Sequence, residues 1–569
     1  MAIESFTFDD GMNRKKGTLA LKNSELYHVS GFGYFHDGYL EARTSKTRTL
    51  KIDSTSTSTI NGIHKYSNSV YATSHGLCPG KQVYFNYVYH SLSQAPYTKI
   101  GLLQGNIRPR FVDYEGFTIM VDGEWKKAYI EGNEYEWGVA NPVSAPILTA
   151  GAAPGPTGTY QCYVTFYIVF PNGRVVETGF SPVAELVTVN QKIEWSGIPI
   201  CPYQGNELKI YRRLWRAVTG VPYLLATLTD NVTTIFSDGA ADSTLVLNEG
   251  APMENYHPPP DNLIDIVIHL QRIFGIKDNR LYWTEPYYPF SHIDTNNVVV
   301  TKRDTEELVS LIQWGDQLWM VSVEEWYRLL GSDPTTWAIK RTFTDTGIIN
   351  RNTLKKSRYG MIGRSYDGIY LFDGSTQRDL TDKKFGKYFF NAISDPTVEY
   401  AEFDGSKYYL YFASSGSTID SCMVIDFTPY PEYRVYLEDF VPDAVEFYKN
   451  TNHKYIAKCG YEWEEGGAEI IPTSFITGYR GFEGILRRKV PKYLYYDIDT
   501  NGVDTYVSIY VDGVLGQTLT LNTTSRVRNR SEELKMMEGY SFALEFTCSN
   551  SQYLKVYAPW ALEADPVGI

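Results

Sequence analysis

Short runs of alternating apolar and polar residues, separated by Gly, Asn and Asp turns, fill the chain from about residue 47 onward. Clear examples are the runs 69–72, 117–123 and 126–130, and later 368–374, 404–412 and 421–427. Period-two alternation predicts strands, and turn signals at such short intervals are typical of β-sandwiches and β-propellers. The theme recurs with a period of roughly 40 residues, which suits four-stranded propeller blades. A pair of β-sandwiches is the competing prediction.

The rhythm is interrupted between residues 140 and 256. Pro142–Pro146 and Ala150–Pro156 are linker-like, and a long apolar strand, Tyr160–Phe170, follows and ends at the turn Pro171-Asn172-Gly173. The segment resembles a fibronectin type III-like sandwich and ends at the stiff run His257–Pro260. Because the same theme lies on both sides of it, we favour a propeller with an inserted sandwich.

The two ends of the chain differ from this middle part. The last hundred or so residues contain alternating runs that predict another small β-sandwich. The opening residues show no amphipathic period and predict an extended docking arm. The predicted fold is therefore all-β, a β-propeller interrupted by a β-sandwich and followed by a second one. Its segments are the arm at 1–46, first blades at 47–139, inserted sandwich at 140–256, remaining blades at 257–469 and closing sandwich at 470–569.

Composition supports a folded β-protein and limits its partners. Aromatic residues make up 15% of the 569 residues, with 46 Tyr, and such residues favour strands. The formal net charge of −13 argues against gripping DNA from outside, because that binding depends on Lys and Arg. The six cysteines form no C-x-x-C pair and predict buried thiols rather than disulfides or zinc ligands. The start of the chain predicts no signal peptide, and no apolar run is long enough for a membrane span.

One calcium-like string occurs, Asp497-Ile498-Asp499-Thr500-Asn501-Gly502. Position twelve of such a loop would be Ser508, which cannot supply the bidentate carboxylate that calcium needs there. Asn501-Gly502 lies between two predicted strands and predicts a hairpin turn instead. We therefore expect no metal site, no cofactor site and no catalytic residues.

The remaining candidate motifs favour structural roles over catalytic ones. Phosphate-loop, H-E-x-x-H and G-x-S-x-G motifs are absent from the sequence, as is the repeated Asp box of sialidase propellers. The 66 acidic residues do not exclude a glycosidase pair of carboxylates, but the absence of the Asp box argues against one. The aromatic runs 287–290 and 408–412 favour blade core or subunit packing over sugar stacking. The basic spots Arg487–Lys489 and Arg526, Arg528 and Arg530 favour pairing with acidic neighbouring subunits.

The order of these parts resembles the propeller-type tail proteins of short-tailed bacteriophages, the tail nozzle and the packaged-DNA-stabilisation hub. The likeness lies in four stretches, 9–43, 269–293, 366–381 and 487–513. It implies a structural subunit of the virion tail, assembled in the host cytoplasm, and not an enzyme. Six copies would form a ring below the portal and adaptor, beside tail fibres or spikes. Genomic double-stranded DNA would be retained by the ring and leave through its lumen without specific binding.

Two other functions stay open. The protein is alternatively a tail-associated carbohydrate-binding or glycan-degrading propeller, which would expose aromatic platforms and carboxylates in one cleft. A third possibility is a scaffold from another β-rich virion part, such as a long-tailed phage baseplate.

Overall fold

The computed structural model describes most of the chain. The described residues are 2–6, 12–13, 26–30, 32–36, 39–42, 46–51, 59–66, 69–75, 81–87, 98–103, 107–130, 132–251, 257–344, 346–393, 395–438, 440–448, 453–458, 461–465, 473–480, 488–536, 538–550 and 554–567. The fold is all-β: a β-propeller is interrupted by a β-sandwich and is accompanied by a second sandwich, as the sequence predicted.

Within the described residues, seven four-stranded antiparallel sheets form the propeller, and each is one blade. Blade 1 consists of Thr59–Tyr66, Ser69–His75, Lys81–Tyr87 and Thr98–Leu103, and blade 2 of Arg110–Tyr114, Phe117–Val121, Lys126–Ile130 and Asn133–Glu136. Blade 3 consists of Asp265–His269, Arg272–Lys277, Arg280–Glu285 and Tyr288–Val299, and blade 4 of Leu308–Trp314, Gln317–Ser322, Trp326–Leu330 and Ala338–Arg341. Blade 5 consists of Lys355–Lys356, Met361–Arg364, Ile369–Phe372 and Gln377–Asp379, and blade 6 of Tyr400–Phe403, Lys407–Phe412, Ser421–Asp426 and Arg434–Glu438. Blade 7 consists of Ala444–Tyr448, His453–Lys458, Tyr461–Glu465 and Lys46–Lys51.

The first strand of each blade is the inner strand, and consecutive inner strands contact one another around a central axis. Blade 7 takes its fourth strand, Lys46–Lys51, from the other end of the propeller sequence. This pairing closes the ring, because blade 1 follows directly after that strand. Middle strands such as Phe117–Val121 and Gln317–Ser322 are buried nearly throughout, since neighbouring blades cover both faces.

Tight turns join the strands of each blade. Asp373 illustrates the local chemistry: its Oδ1 accepts the backbone N–H groups of Ser375 and Thr376 at 2.9 and 2.7 Å. Gly374 has φ +88°, which a side chain would disfavour. Asp512 and Gly513 both have positive φ, +47° and +85°, in a two-residue hairpin turn. Both Asp-Gly pairs therefore form turns.

The inserted sandwich lies between blades 2 and 3. One sheet contains Ile147–Ala150, Ile193–Ser196 and Phe236–Asp238, and the other contains Gly158–Val169, Val175–Glu177, Ala184–Thr188, Lys209–Val218 and Val221–Leu228. Phe170 anchors it, because its ring lies 5.1 Å from those of Phe117 in blade 2 and Phe290 in blade 3. The described helices are short: Asp242–Leu245, Lys387–Asn391 and the 3₁₀ turn Arg351–Thr353.

The second sandwich combines both ends of the chain. One sheet has the order Ala2–Phe6, Trp560–Pro566, Lys489–Asp499, Lys555–Tyr557, Tyr39–Ala42 and Phe32–His36, with Val527–Arg530 beside Lys489–Asp499. The other has the order Leu26–Ser30, Thr473–Thr477, Phe542–Cys548, Thr505–Val511 and Val514–Leu521. The extended arm predicted over 1–46 is corrected here. Its described strands are integral to this sandwich and to blade 7, because they complete sheets whose other strands lie at the far end of the sequence.

Candidate functional site

A ring of polar side chains lies on the inner strands of the propeller, and several of its members join neighbouring blades. His64 Nε2 lies 3.0 Å from Asp113 of blade 2, and its Nδ1 lies 3.0 Å from Glu446 of blade 7. Arg110 Nε lies 3.4 Å from Asp265 Oδ1, joining blades 2 and 3. These contacts fix the spacing of the blades where they approach the axis.

The ring continues through the later blades. Ser310 Oγ of blade 4 donates to Asp265 Oδ2 at 2.6 Å, and Lys355 Nζ of blade 5 lies 2.7 Å from Glu402 Oε2 of blade 6. The seven positions, one for each blade, recur about every 45 residues once the insert is left out. They are His64, Arg110, Asp265, Ser310, Lys355, Glu402 and Glu446. This spacing of polar residues marks the strands next to the axis in the sequence, although it matches no catalytic motif.

A cavity of about 1350 Å³ lies at the end of the axis where the inner strands begin. Its wall comes from the segments that precede the inner strands of blades 2 to 7 and from turns of blades 4, 5 and 6. The polar residues that line it are Arg108, Arg303, Thr305, Glu306, Glu307, Glu324, Thr346, Asn350, Arg351, Asn352, Ser365, Tyr366, Asp367, Thr397, Ser417, Thr418 and Asp443. Hydroxyl, amide, carboxylate and guanidinium groups therefore face one space.

Arginines brace the floor of the cavity across the axis. The two terminal nitrogens of Arg351, which precedes blade 5, donate to the carbonyls of Ile264 and Arg108, which precede blades 3 and 2. Arg108 Nη2 donates to the carbonyl of Asp443, before blade 7, at 2.9 Å, and its guanidinium lies 3.9 Å from the centroid of the Tyr400 ring. These braces join blades on opposite sides of the axis, so the cavity has a floor built of side chains.

Asn350 and Asn352 form the wall beside this floor. The Nδ2 of Asn350 donates to the carbonyls of Pro396, Thr397 and Glu399 at 2.8 to 3.1 Å, which fixes its side chain. Asn352 is only 8% exposed, and its Oδ1 has no hydrogen-bond partner among the described residues. A buried amide oxygen without a donor is unfavourable, and this one has almost no accessible surface, so it lies within the wall and not on its surface.

The rim of the cavity carries an exposed tyrosine and several carboxylates, whereas arginines form its floor. Tyr366, at the turn between the second and third strands of blade 5, is 64% exposed. Arg303 and Glu324 pair at 3.2 Å near the opening. Glu306 is occupied, because its Oε1 accepts from Ser322 and Tyr327 at 2.5 and 2.9 Å. Glu307 and Asp367 also lie on the cavity wall, so the rim is rich in carboxylates.

Behind the wall, Glu399 and Arg364 form a fully buried pair with 3.5 Å between Oε2 and Nε. Burial raises the pKa of Glu399 to about 7, although the nearby guanidinium of Arg364 lowers it. Neither carboxylate oxygen of Glu399 has a hydrogen bond in the described part of the chain. A strongly shifted carboxyl next to a cavity is a feature of functional sites, and also of internal ion pairs.

The calcium-like string does not form a metal loop. Both oxygens of Asp497 are held by Arg526, at 2.9 and 2.7 Å, and no group of potential metal ligands occurs in the residues that the structure describes. Asn501 and Gly502 have positive φ, so the predicted turn is present. The predicted hairpin is wrong, however, because the strands on either side of the turn belong to different sheets of the sandwich.

The aromatic and basic runs are placed as follows. In the run 287–290, Tyr287 and Tyr288 are exposed whereas Phe290 is buried, and the run 408–412 lies within blade 6. Arg526 and Arg530 lie over the rings of Tyr557 and Tyr493, and Arg488 pairs with Glu538 at 2.7 Å. These contacts lie within the chain, whereas the sequence favoured acidic residues of neighbouring subunits as the partners of these basic side chains. The described cysteines, Cys162, Cys201, Cys422 and Cys548, are buried free thiols, as predicted, and Cys78 and Cys459 lie outside the described residues.

Comparison with known proteins gives no family: no family model and no curated protein matches the chain. Similar solved structures include the computationally designed protein Ika8, with 9% identity, a TM-score of 0.32, and coverage of 74% of this chain and 99% of that one. They also include an exo-β-1,3-galactanase from Phanerochaete chrysosporium, with 8% identity, a TM-score of 0.23, and coverage of 91% and 100%. A family 43 arabinoxylan arabinofuranohydrolase from Bacillus subtilis matches with 8% identity, a TM-score of 0.18, and coverage of 91% and 96%.

The prediction that the chain is not an enzyme is corrected: the solved structures similar to this chain include two glycoside hydrolases. The likeness assigns no activity to this chain. Among the described residues, no helix is long and apolar enough to cross a membrane.

Proposed function

We propose that the protein is a carbohydrate-binding propeller and that its axial cavity is the binding site. The observation that carries this proposal is the polar lining of the cavity, in which the amides of Asn350 and Asn352 stand among hydroxyl, carboxylate and guanidinium groups. These groups can engage sugar hydroxyls, each of which both donates and accepts.

The size and floor of the cavity also support a carbohydrate. Pockets for small molecules usually enclose about 300 to 1000 Å³, and this cavity is larger, so it has room for several sugar units. The arginine braces close one end, so a chain would enter from the rim by its terminal residues. Tyr366 at the rim offers an aromatic face on which a sugar ring can stack.

A glycan array with labelled protein, followed by calorimetric titration of the best ligands, tests this proposal. Tyr366→Ala should weaken binding about tenfold, which corresponds to about 1.4 kcal/mol. Tyr288→Ala is the matched control, because Tyr288 is 57% exposed and does not line the cavity. Equal weakening by both variants, or no binding to any glycan, would contradict the proposal. A reducing-sugar assay on the bound glycans then separates binding from hydrolysis.

We propose as a second candidate the tail-ring subunit that the sequence resembles. The observation that favours it is a group of exposed aliphatic side chains on the insert, which are between 51% and 90% exposed. They are Val143, Ile147, Ile200, Val232 and Ile235. The pairing of Ile147 with Ser196 and of Thr234 with Ile198 brings several of them to one end of the three-stranded sheet. Exposed apolar groups of this kind are typical of contacts between subunits.

In this proposal, about six copies of the chain form a ring. The ring docks on an adaptor or portal, and acidic residues line it. Mass photometry of the wild type and of Val232→Ser/Ile235→Ser tests it. The wild type should form rings that the double variant loses, whereas Val514→Ser, at an exposed position of the other sandwich, should leave them intact. A wild type that stays monomeric even with its connector proteins would contradict it.

A further inference from the structure

Three guanidinium groups meet at the floor of the axial cavity, near the carboxylates of Asp122, Asp265 and Asp443. Arg108 and Arg351 line it, and Arg110 lies directly behind, donating to the carbonyl of Arg351. Arg110 is paired with Asp265. Arg108 and Arg351 bond to carbonyl oxygens, and no described carboxylate lies within ion-pair distance of either. Buried guanidinium groups normally have an anionic partner.

The electrostatics of the floor agree with this geometry. Burial and the neighbouring charges of Arg110 and Arg108 lower the pKa of Arg351 to about 9, although Asp265 and Asp122 raise it. Burial likewise lowers the pKa of Arg108 to about 10, although Tyr400 and Asp443 raise it. An anion at the floor would relieve both effects, because it would compensate the mutual repulsion of the guanidinium groups.

The rim restricts which anion can enter. Glu307 and Asp367 line the same cavity, and they would repel a small inorganic anion. A sugar acid offsets this repulsion, because its hydroxyl groups donate to the rim carboxylates while its anionic group reaches the arginines. The pattern of acceptors outside and cations inside therefore fits a molecule with hydroxyls along its length and a charge at one end.

We infer that the cavity binds anionic sugars, with the carboxylate or sulfate group held by Arg108 and Arg351. This inference rests on the proposed carbohydrate-binding function and names the class of its ligand. The shared chemistry is an oxyanion that can accept two parallel N–H bonds from a guanidinium group.

Calorimetric titration with three matched probes of equal length tests the inference: a neutral galactan oligosaccharide, and the same oligosaccharide with a single carboxylate or a single sulfate on its terminal sugar. An anionic probe should bind at least about tenfold more tightly than the neutral one. Its advantage should shrink when salt is raised from about 50 mM to about 500 mM. Whichever of the two anionic probes binds more tightly identifies the group, carboxylate or sulfate, that the floor prefers.

Two variants locate the effect. Arg108→Gln should remove most of the preference for the anionic probe, whereas Arg303→Gln, at an exposed rim arginine, should change it little. The wild-type comparison needs no variant, so it decides the question even if Arg108→Gln fails to fold. Equal affinity for neutral and anionic probes would overturn this inference and leave carbohydrate binding standing. Failure of all three probes, with no glycan bound on the array, would overturn both.

Discussion

The imidazole of His64 and the carboxylate of Glu446 meet at 3.0 Å although 382 residues separate them in sequence. His64 also lies 3.0 Å from Asp113 and stacks on Phe111 with 4.9 Å between the ring centroids. One side chain of blade 1 therefore contacts both of its neighbours, blades 7 and 2. This contact joins the first and last blades at the axis, as the strand Lys46–Lys51 joins them at the outer edge.

We predict that His64 makes propeller stability fall as the pH rises. Burial alone would lower its pKa, but the charges of Glu446 and Asp113 outweigh this and hold the pKa well above 6.5. A pKa raised in the folded state means that its contribution is complete below about pH 6.5 and is lost as pH passes the folded value. Thermal unfolding of the wild type and His64→Gln, from about pH 6 to about pH 9, checks this. The variant should be less stable at the acid end and should converge with the wild type at the alkaline end.

His269→Gln is the control, because burial lowers the pKa of His269 and its effect belongs to acid pH. The interpretation of His64 fails if the two single variants show the same dependence on pH above neutrality.

The raised pKa of Glu399 predicts a second loss of stability as the pH rises. Its pKa is raised to about 7, so the folded protein favours the protonated form and loses stability as the pH rises through about 7. A shift of this size corresponds to on the order of 3 kcal/mol between acid and alkaline pH. Glu399→Gln should remove this part of the pH dependence, as measured by denaturant unfolding. Glu324→Gln, at the exposed rim, should retain it, and an unchanged profile in Glu399→Gln would refute the assignment.

The inserted sandwich depends on a buried ion pair. Arg216 is fully buried, and its guanidinium lies 2.5 Å from Asp238 and 3.0 Å from Asp242. Arg216→Leu should destabilise the insert by about 3 to 5 kcal/mol, because it leaves a buried carboxylate without a partner. The double variant Arg216→Leu/Asp238→Leu should recover much of this loss. Arg303→Leu, which breaks an exposed pair, should cost less than about 1 kcal/mol.

The first strand of the chain should contribute to stability. Phe6 is buried and lies opposite Trp560 in the sheet that joins both ends of the chain. Phe6→Ala should therefore lower the free energy of unfolding of the second sandwich by about 3 to 5 kcal/mol. Val514→Ala, at an exposed position, is the control. If residues 1–46 were a separate arm, Phe6→Ala would leave unfolding unchanged.

The sequence predicted the all-β fold and the interruption of the propeller, because alternation and turns are local signals. It missed the role of the first strands, since the partner of Ala2 is Ala564 and nothing nearby in sequence specifies that pairing. It also missed the cavity. Arg108 precedes the inner strand of blade 2, whereas Arg351 and Asn352 precede that of blade 5, and only closure of the ring brings them together. The search for motifs could not recognise a site assembled from single residues of several blades.

The central claim is that the axial cavity binds carbohydrate. The most direct measurement is a crystal structure of the protein with the glycan that binds most tightly on the array. We predict sugar density inside the cavity, within hydrogen-bond distance of the polar side chains that line it, and extending past Tyr366 at the rim. Sugar bound only outside the cavity would contradict the account.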